Sequence, residues 1–371
     1  MNIKKIEYEN FRNLSRGFIE PSEGVNVIYG ENAQGKTNLL EAIWIFTGGR
    51  SFRSAKDLDL IKFKEQYAKV NMKLFAEKRD QDLKIEISKP KRKTYVNEVL
   101  KKSPSDYVGK FCSVIFSPSH LSLIKEGPGC RRKFLDTTIC QMYPMYAKNV
   151  TVYNHILNQR NQLLKSIKKQ PGLIETLFVW NEKLAKKAAE IVKFRIQYVN
   201  SLKESTECIY RNFTKEKETL RLHYYSNAVP REFLNIDKIL SLDEMASFII
   251  KKLESAKQEE LFLGYTLIGP HRDDFEVYID DKKARSFASQ GQQRSAVLSL
   301  KLAEAELIKK ICGKTPVILL DDVMSELDAN RQDFILNSIH DRQVFITCCE
   351  PEDIGKMADG KTFEVKDGKI Y

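Results

Sequence analysis

Apolar and polar positions change period twice along the chain. In the N-terminal third they alternate in short runs, Ile3 to Tyr8, Phe18 to Ile19 and Val25 to Tyr29. Successive side chains of a strand point to opposite faces, so such runs predict half-buried strands. A helical pattern follows from Lys36 to Phe46. Tyr67 to Phe75, Leu83 to Ser88, Thr94 to Val96 and Ser113 to Phe116 again read as strands, with a turn at Lys89-Pro90-Lys91-Arg92. From about Arg131 the spacing becomes helical. Leu177, Leu184, Ile191 and Tyr198 share one heptad position, with Trp180, Ala188 and Leu202 near the companion row, which predicts one long helix. Arg195 interrupts that row, which favours a packed bundle over a coiled coil. Strand patterns return at Thr266 to Ile268 and Phe275 to Ile279. A helix from Gly291 to about Ile311, a buried strand Val317 to Leu320, a helix Arg331 to Ile339 and a further short strand Val344 to Thr347 follow. Strands alternating with helices at this end predict a parallel sheet.

The length of 371 residues allows one large α/β domain and a second module. With 42% hydrophobic and 30% charged residues, and neither a low-complexity tract nor a solenoid repeat, the composition is that of a globular protein. A net charge of +11 and a pI near 9.1 point to a polyanionic partner. The start lacks the apolar stretch of a signal peptide, and no apolar run is long enough to span a bilayer; a soluble, cytoplasmic protein is expected. The seven cysteines are scattered without zinc-site spacing, so they read as buried free thiols.

The chemistry concentrates at three places. Gly30-Glu31-Asn32-Ala33-Gln34-Gly35-Lys36-Thr37 fits the phosphate-loop pattern, between a strand and a helix as the motif requires. Its glycines let backbone N–H groups wrap phosphates, Lys36 neutralises the outer ones and the Thr37 hydroxyl binds Mg2+; the helix adds its positive end. Asp321 and Asp322 end a purely apolar strand, where two acids are costly unless a cation holds them. Asp321 is the expected metal-side ligand and Asp322 the expected catalytic base. Ser289-Gln290-Gly291-Gln292 opens the Gly291 helix, where a hydroxyl and N–H groups can cradle a second anion, one held by another subunit.

Taken together, the phosphate loop, the Ser289 to Gln292 signature, the strand ending in Asp321-Asp322 and Ser325-Glu326-Leu327-Asp328 in the D-loop position resemble an ABC-type ATPase head. The wide spacing is similar to that of the SMC/Rad50/RecF group. Asn10-Phe11-Arg12-Asn13-Leu14, the loop extended to Asn38, Gly269-Pro270-His271-Arg272-Asp273-Asp274, Ser289 to Ser295 and Leu320-Asp321-Asp322-Val323 resemble the RecF family of bacterial repair proteins, over essentially the whole chain. The resemblance implies an α/β ABC-type ATPase head with an inserted compact helical lobe. Its expected segments are residues 1–116 with the phosphate loop, 117–265 as the helical lobe and 266–371 with the signature, Asp321 strand and D-loop. ATP and Mg2+ are the implied cofactors. Single- and double-stranded DNA, RecR, RecO and a second copy in an ATP-dependent dimer are the implied partners. Lys36, Asp321 and Asp322 are the implied catalytic residues, and Gly30 to Asn38 with Ser289, Gly291 and Gln292 the nucleotide-binding ones.

Where a transporter ATPase carries a Glu after the strand-end Asp and a switch His after the next strand, this chain has Asp322 and Thr347, which implies slow hydrolysis. A transporter's energy-supplying subunit is the alternative reading; it needs that His and a membrane partner. A nuclease with the same head needs a separate acidic cluster, and none is evident. By resemblance Arg12 flanks the base, and Arg50 or Arg53 approaches phosphate or DNA. For the DNA backbone the candidates are Lys89, Lys91, Arg92, Lys93, Lys101 and Lys102; Arg131, Arg132 and Lys133; and Lys183, Lys186, Lys187, Lys193 and Arg195. No base-reading motif accompanies them, so binding without sequence preference is expected. In the Gly269 to Asp274 turn, His271 has either a structural or a functional hydrogen bond, and Asp273 and Asp274 are read as possible partners of Arg272.

Overall fold

The computed structural model describes residues 1–48, 51–53, 55–103, 106–350 and 360–371. In chain order the elements are β1 (Asn2–Phe11), β2 (Leu14–Ile19), β3 (Val25–Tyr29), α1 (Lys36–Trp44), β4 (Tyr67–Ala76), β5 (Arg79–Ser88), β6 (Lys93–Val96), β7 (Val99–Leu100) and β8 (Ser113–Phe116). Then come α2 (Ser122–Lys125), α3 (Pro128–Met142), α4 (Pro144–Ile167), α5 (Leu177–Thr214), β9 (Leu220–Tyr225), α6 (Leu242–Ser255) and α7 (Lys257–Leu263). The remainder is β10 (Asp274–Ile279), β11 (Lys282–Lys283), α8 (Ala284–Phe287), α9 (Gln290–Cys312), β12 (Val317–Leu320), α10 (Ala329–Ile339), β13 (Val344–Cys348), β14 (Lys361–Lys366) and β15 (Lys369–Ile370). They pack as two units, Met1–Leu121 with Val297–Tyr371, and Ser122–Ala296.

The first unit holds two sheets. One is antiparallel in the order β2-β1-β4-β5-β6-β7; the other runs β15-β14-β3-β13-β12-β8, with all neighbours parallel except the final turn back into β15. Strands β8, β12 and β13 are buried at every position, as a covered parallel sheet demands of uninterrupted apolar runs. Helix α1 buries Leu39, Leu40, Ala42, Ile43 and Trp44 in a core shared with Ile6 and Phe11 of β1, Ile85 of β5, Leu319 of β12 and Phe345 of β13. That parallel order matters for function, since β13 lies between β3 and β12 and brings the two ends of the chain to one sheet edge.

The second unit is helical around the 38-residue α5, whose Leu177, Leu184, Ile191 and Tyr198 are all buried. It packs on α4 and α6, so the heptad spacing serves a bundle, as the interrupted companion row predicts. Arg195 is tolerated at that interruption because its guanidinium meets Asp136 at 2.8 Å and Asp273 at 2.9 Å. Among the described residues no helix is long and apolar enough to cross a membrane.

Several features differ from the sequence reading, which has no strand at β7, β14 or β15. Thr266 to Ile268 is not a strand: the Thr266 N–H and hydroxyl both donate to Asn161 Oδ1, and the Leu267 N–H donates to Glu260 Oε1, so side chains replace a ladder partner. Strand β9, absent from that reading, pairs antiparallel with β10, which places residues 266–296 with the helical unit rather than with the C-terminal return. The cysteines are free but only Cys112 and Cys348 are buried; Cys208 and Cys349 are exposed.

Candidate functional site

The loop between β3 and α1 needs glycine at both ends. Gly30 has φ +145°, and a Cβ there would run into the Val365 carbonyl oxygen; Gly35 has φ +125°, and a Cβ would lie 2.7 Å from Asn13 Oδ1. Two tight turns grip the loop. From the β1–β2 hairpin, Asn13 Nδ2 donates to the Gln34 carbonyl at 2.8 Å, while Asn13 Oδ1 accepts from Asn38 Nδ2 at 2.8 Å. From the β14–β15 turn, the Asp367 and Gly368 N–H groups donate to Gln34. Glu31, Asn32 and Ala33 stand exposed between these clamps.

Lys36 is buried, and its Nζ donates to the carbonyls of Gly30 at 2.5 Å and Glu31 at 3.0 Å. The Thr37 hydroxyl donates to Asp321 Oδ1 at 2.8 Å, which joins the phosphate loop to the end of β12. Burial, and then the neighbouring charge of Asp322, push the Asp321 carboxyl above the usual carboxylate range, against the lowering effect of hydrogen bonds from Thr37 and Thr347. Asp322 has φ +51°. Lys36, Thr37, Asp321 and Asp322 line a cleft of about 500 Å3 together with Asn13, Arg53, Ser117 and Ser119. N–H groups at the start of α1 and an ammonium suit a polyphosphate, and paired carboxylates beside a hydroxyl suit a divalent cation.

Arg12 and Arg53 share a buried partner that the motif reading missed. Glu41, on α1 one turn beyond Thr37, has a fully buried side chain that pairs with Arg12 at 2.8 Å and lies 3.7 Å from Arg53; Ser51 donates to it as well. Arg12 also donates to the Asp59 carbonyl, so its guanidinium is occupied by protein groups. Arg53 reaches Asn38 Oδ1 at 2.7 Å and lines the cleft, while Arg50 lies outside the described residues. The signal for Glu41 was available: one acid inside the apolar run Leu39 to Ile43 has to find a cation.

Ser289, Gly291 and Gln292 belong to the second unit. Ser289 caps α9: its Oγ accepts the Gln292 N–H at 3.2 Å and its own N–H donates to Gln292 Oε1 at 2.8 Å, a reciprocal capping box. Gln292 Nε2 also holds Glu218, and buried Gln293 donates to the Ala288 carbonyl, so the glutamines organise the turn that leaves Ser289 exposed.

The Gly269 to Asp274 segment is an interior hub. Asp273 pairs with Arg195 and Asp274 with Arg131 at 2.7 Å, whereas Arg272 lies over the Tyr265 ring, so neither acid takes Arg272 as its partner. His271 Nδ1 accepts from the Tyr153 hydroxyl at 2.6 Å and Nε2 meets the Thr266 carbonyl at 3.1 Å; its bonds are structural. Three of the arginines expected at DNA are corrected accordingly: Arg131 and Arg195 are buried in these pairs, and Arg92, with a side chain only 14% exposed, donates to the Ile45 carbonyl; Arg132 is half-buried and donates to the Asp273 carbonyl. Lysines remain outside, with Lys89, Lys91, Lys93, Lys102, Lys183 and Lys186 exposed.

Residues 2–368 match the family described as RecF/RecN/SMC N terminal domain. The chain is 39% identical over 376 residues to the DNA replication and repair protein RecF of Ruminiclostridium cellulolyticum, covering all of this chain and 99% of that one. A solved structure of the recombination mediator protein RecF with ATP superposes with a TM-score of 0.92 at 37% identity, covering 100% of this chain and 97% of the other. An SMC head bound to the C-terminal winged-helix domain of ScpA shares the fold at a TM-score of 0.55 and 16% identity. With the fold of an ABC-type ATPase head and relatives of this identity along its whole length, the chain belongs to the RecF family.

Proposed function

We propose that the chain is an ATP-dependent DNA-binding protein of recombinational repair and replication-fork maintenance. Its ATP-induced dimer binds single- and double-stranded DNA and, with RecO and RecR, promotes recombinase loading at gaps. The observation that carries this reading is the 2.8 Å contact between Thr37 and Asp321, residues 284 positions apart, which makes one site of two motifs. The RecF–ATP structure that the chain matches supports ATP as the nucleotide, and the relatives' role in DNA replication and repair supports the setting.

The residues present fit the nucleotide and its metal. Gly30 to Thr37 and Asn38 would hold the phosphates, with Lys36 exchanging two carbonyl oxygens for phosphate oxygens. Thr37 and Asp321 would hold Mg2+, which supplies the positive charge that two adjacent carboxylates lack. Asp322 accepts the proton of the attacking water. A carboxylate as short as aspartate, beside the neutral Thr347, makes hydrolysis slow, as in a DNA-dependent switch rather than a pump. Exposed Ser289, with Gly291 and Gln292, caps the nucleotide of the opposite subunit in a head-to-head dimer.

Light scattering with and without ATP tests the reading. Lys36→Ala abolishes ATP binding, whereas Ser289→Arg binds ATP but does not dimerise; normal dimerisation of Ser289→Arg overturns the capping role. Single-turnover hydrolysis at many turnovers per second would remove the slow-switch reading.

A further inference from the structure

Thr347 ends β13, the strand between the phosphate-loop strand β3 and the Asp321 strand β12, and is 1% exposed. Its backbone is fixed on both sides, in register with Ile28 of β3, while the preceding Ile346 pairs with Leu320 of β12. The side chain is therefore delivered to one point, beside both acids. Its Oγ1 accepts the Asp322 backbone N–H at 2.9 Å and lies 3.3 Å from Asp321 Oδ1, 3.3 Å from Asp322 Oδ1 and 3.4 Å from the Leu320 carbonyl. A hydroxyl has one proton, so it can donate to only one of these three acceptors at a time. The accepted N–H bond does not compete with that choice.

That bond falls on a residue with unusual backbone geometry. Asp322, at φ +51°, occupies the left-handed region, which costs most L-residues free energy and which aspartate enters more readily than most, as a single residue with local hydrogen bonds. Ser325 Oγ donates to the Asp322 carbonyl at 3.1 Å, so a side chain holds each end of this residue's peptide framework. In that conformation Asp322 is among the residues that line the same cleft as Lys36 and Thr37. A valine in place of Thr347 would fill the same volume but leave the Asp322 N–H without its acceptor.

We infer that Thr347 is a positioning residue: by accepting the Asp322 N–H, its hydroxyl fixes the left-handed turn that aims the Asp322 carboxylate into the cleft. The inference rests on the reading of Asp322 as the base that accepts the water proton. It assigns a constructive part to a position that, beside transporter ATPases, is marked only by a missing histidine. Thr347 does not itself exchange a proton.

The test compares Thr347→Val, Thr347→Ala, Thr347→Ser and Asp322→Asn in the full chain by three measurements: affinity for a fluorescent ATP analogue, single-turnover ATP hydrolysis and the lifetime of the ATP-induced dimer. Thr347→Val and Thr347→Ala keep the analogue affinity within about twofold and hydrolyse ATP about 10- to 100-fold more slowly, less than the roughly 100- to 10,000-fold of losing a general base outright, because the base is misplaced rather than removed. Their dimers persist correspondingly longer, and Thr347→Ser, which keeps the hydroxyl but lacks the buried methyl, restores both rate and lifetime. Wild-type hydrolysis by Thr347→Val with an inactive Asp322→Asn overturns the positioning role alone. Wild-type hydrolysis by Asp322→Asn overturns the base reading, and the inference with it. Loss of analogue binding in Thr347→Val and Thr347→Ala, or failure of Thr347→Ser to recover, makes Thr347 a packing strut and also overturns the inference.

Discussion

Arg12 and Glu41 meet in a two-point ion pair, Nε to Oε2 at 2.8 Å and Nη2 to Oε1 at 3.1 Å, beneath the phosphate loop. The Glu41 side chain is fully buried, and Arg12 is 17% exposed. Breaking such a pair from one side strands a charge, whereas replacing both partners with apolar residues does not. Arg12→Ala is therefore expected to cost about 3 kcal/mol of unfolding free energy, the low end for a buried pair because Ser51 and Arg53 still face Glu41. Arg12→Met with Glu41→Leu should recover most of that loss. Urea unfolding of the three proteins decides; a single Arg12→Ala within about 0.5 kcal/mol of wild type, the range of an ordinary surface change, sinks the argument.

Asp321 shows a conflict between stability and function. Its carboxyl titrates above the usual range because burial and Asp322 disfavour the ion. A raised carboxylate pKa means that stability is lost as pH rises from the unfolded pKa through the folded one, so the charged form of Asp321 weakens the nucleotide-free fold. Asp321→Asn should thus raise the melting temperature without ligand and abolish the further rise produced by ATP with Mg2+. Thermal unfolding under both conditions measures this. A lowered melting temperature without ligand contradicts the electrostatic account, and a retained ATP–Mg2+ shift contradicts the metal assignment.

The strands β3, β8 and β12 and the phosphate loop were legible in the sequence because each is a local pattern: an apolar run of strand length, or glycines at fixed spacing. The partners of Glu41 and Thr347 were not legible: an acid inside an apolar run signals that Glu41 needs a cation but not that Arg12, 29 positions away, supplies it, and the bond from the Asp322 N–H to Thr347 depends on a strand order that no single segment encodes. Charge misled for a related reason. Arg131 and Arg195 look like surface cations in a helical stretch, but their acids, Asp274 and Asp273, come from the far end of the helical unit. Arginine suits such interior pairs because its planar fork meets carboxylates at two points, while lysine stays hydrated outside.

That division separates two kinds of basic substitution. Replacing Lys89, Lys91 and Lys93 together by Glu should weaken DNA binding and flatten its salt dependence by about 0.9 log unit per log unit of salt for each phosphate that is no longer neutralised. Arg131→Ala should instead lower stability, because it uncovers Asp274, and leave the salt slope of the folded fraction unchanged. DNA titrations from low to moderate salt distinguish the two. An unchanged slope in the triple Lys variant removes this hairpin from the DNA surface.

His271 makes the helical unit sensitive to mild acid. Burial first, and then the charges of Arg272, Arg132 and Arg195, lower its pKa from 6.5 to about 4, outweighing the raising effect of the Thr266 carbonyl. The folded imidazole is therefore neutral, with Nδ1 free to accept the Tyr153 hydroxyl proton. Below about pH 6.5 the unfolded chain takes up a proton that the folded chain refuses until about pH 4, so stability falls across that window as pH drops. A shift of that size corresponds to about 3 kcal/mol at the acid end. His271→Gln, which cannot titrate, should be less stable than wild type at neutral pH through the altered Tyr153 contact, yet lose less on acidification. The difference between the two proteins' urea-unfolding free energies across the window isolates this residue, because the other titrating groups are common to both. If the two curves run parallel from neutral pH down to about pH 4.5, His271 does not carry the acid sensitivity.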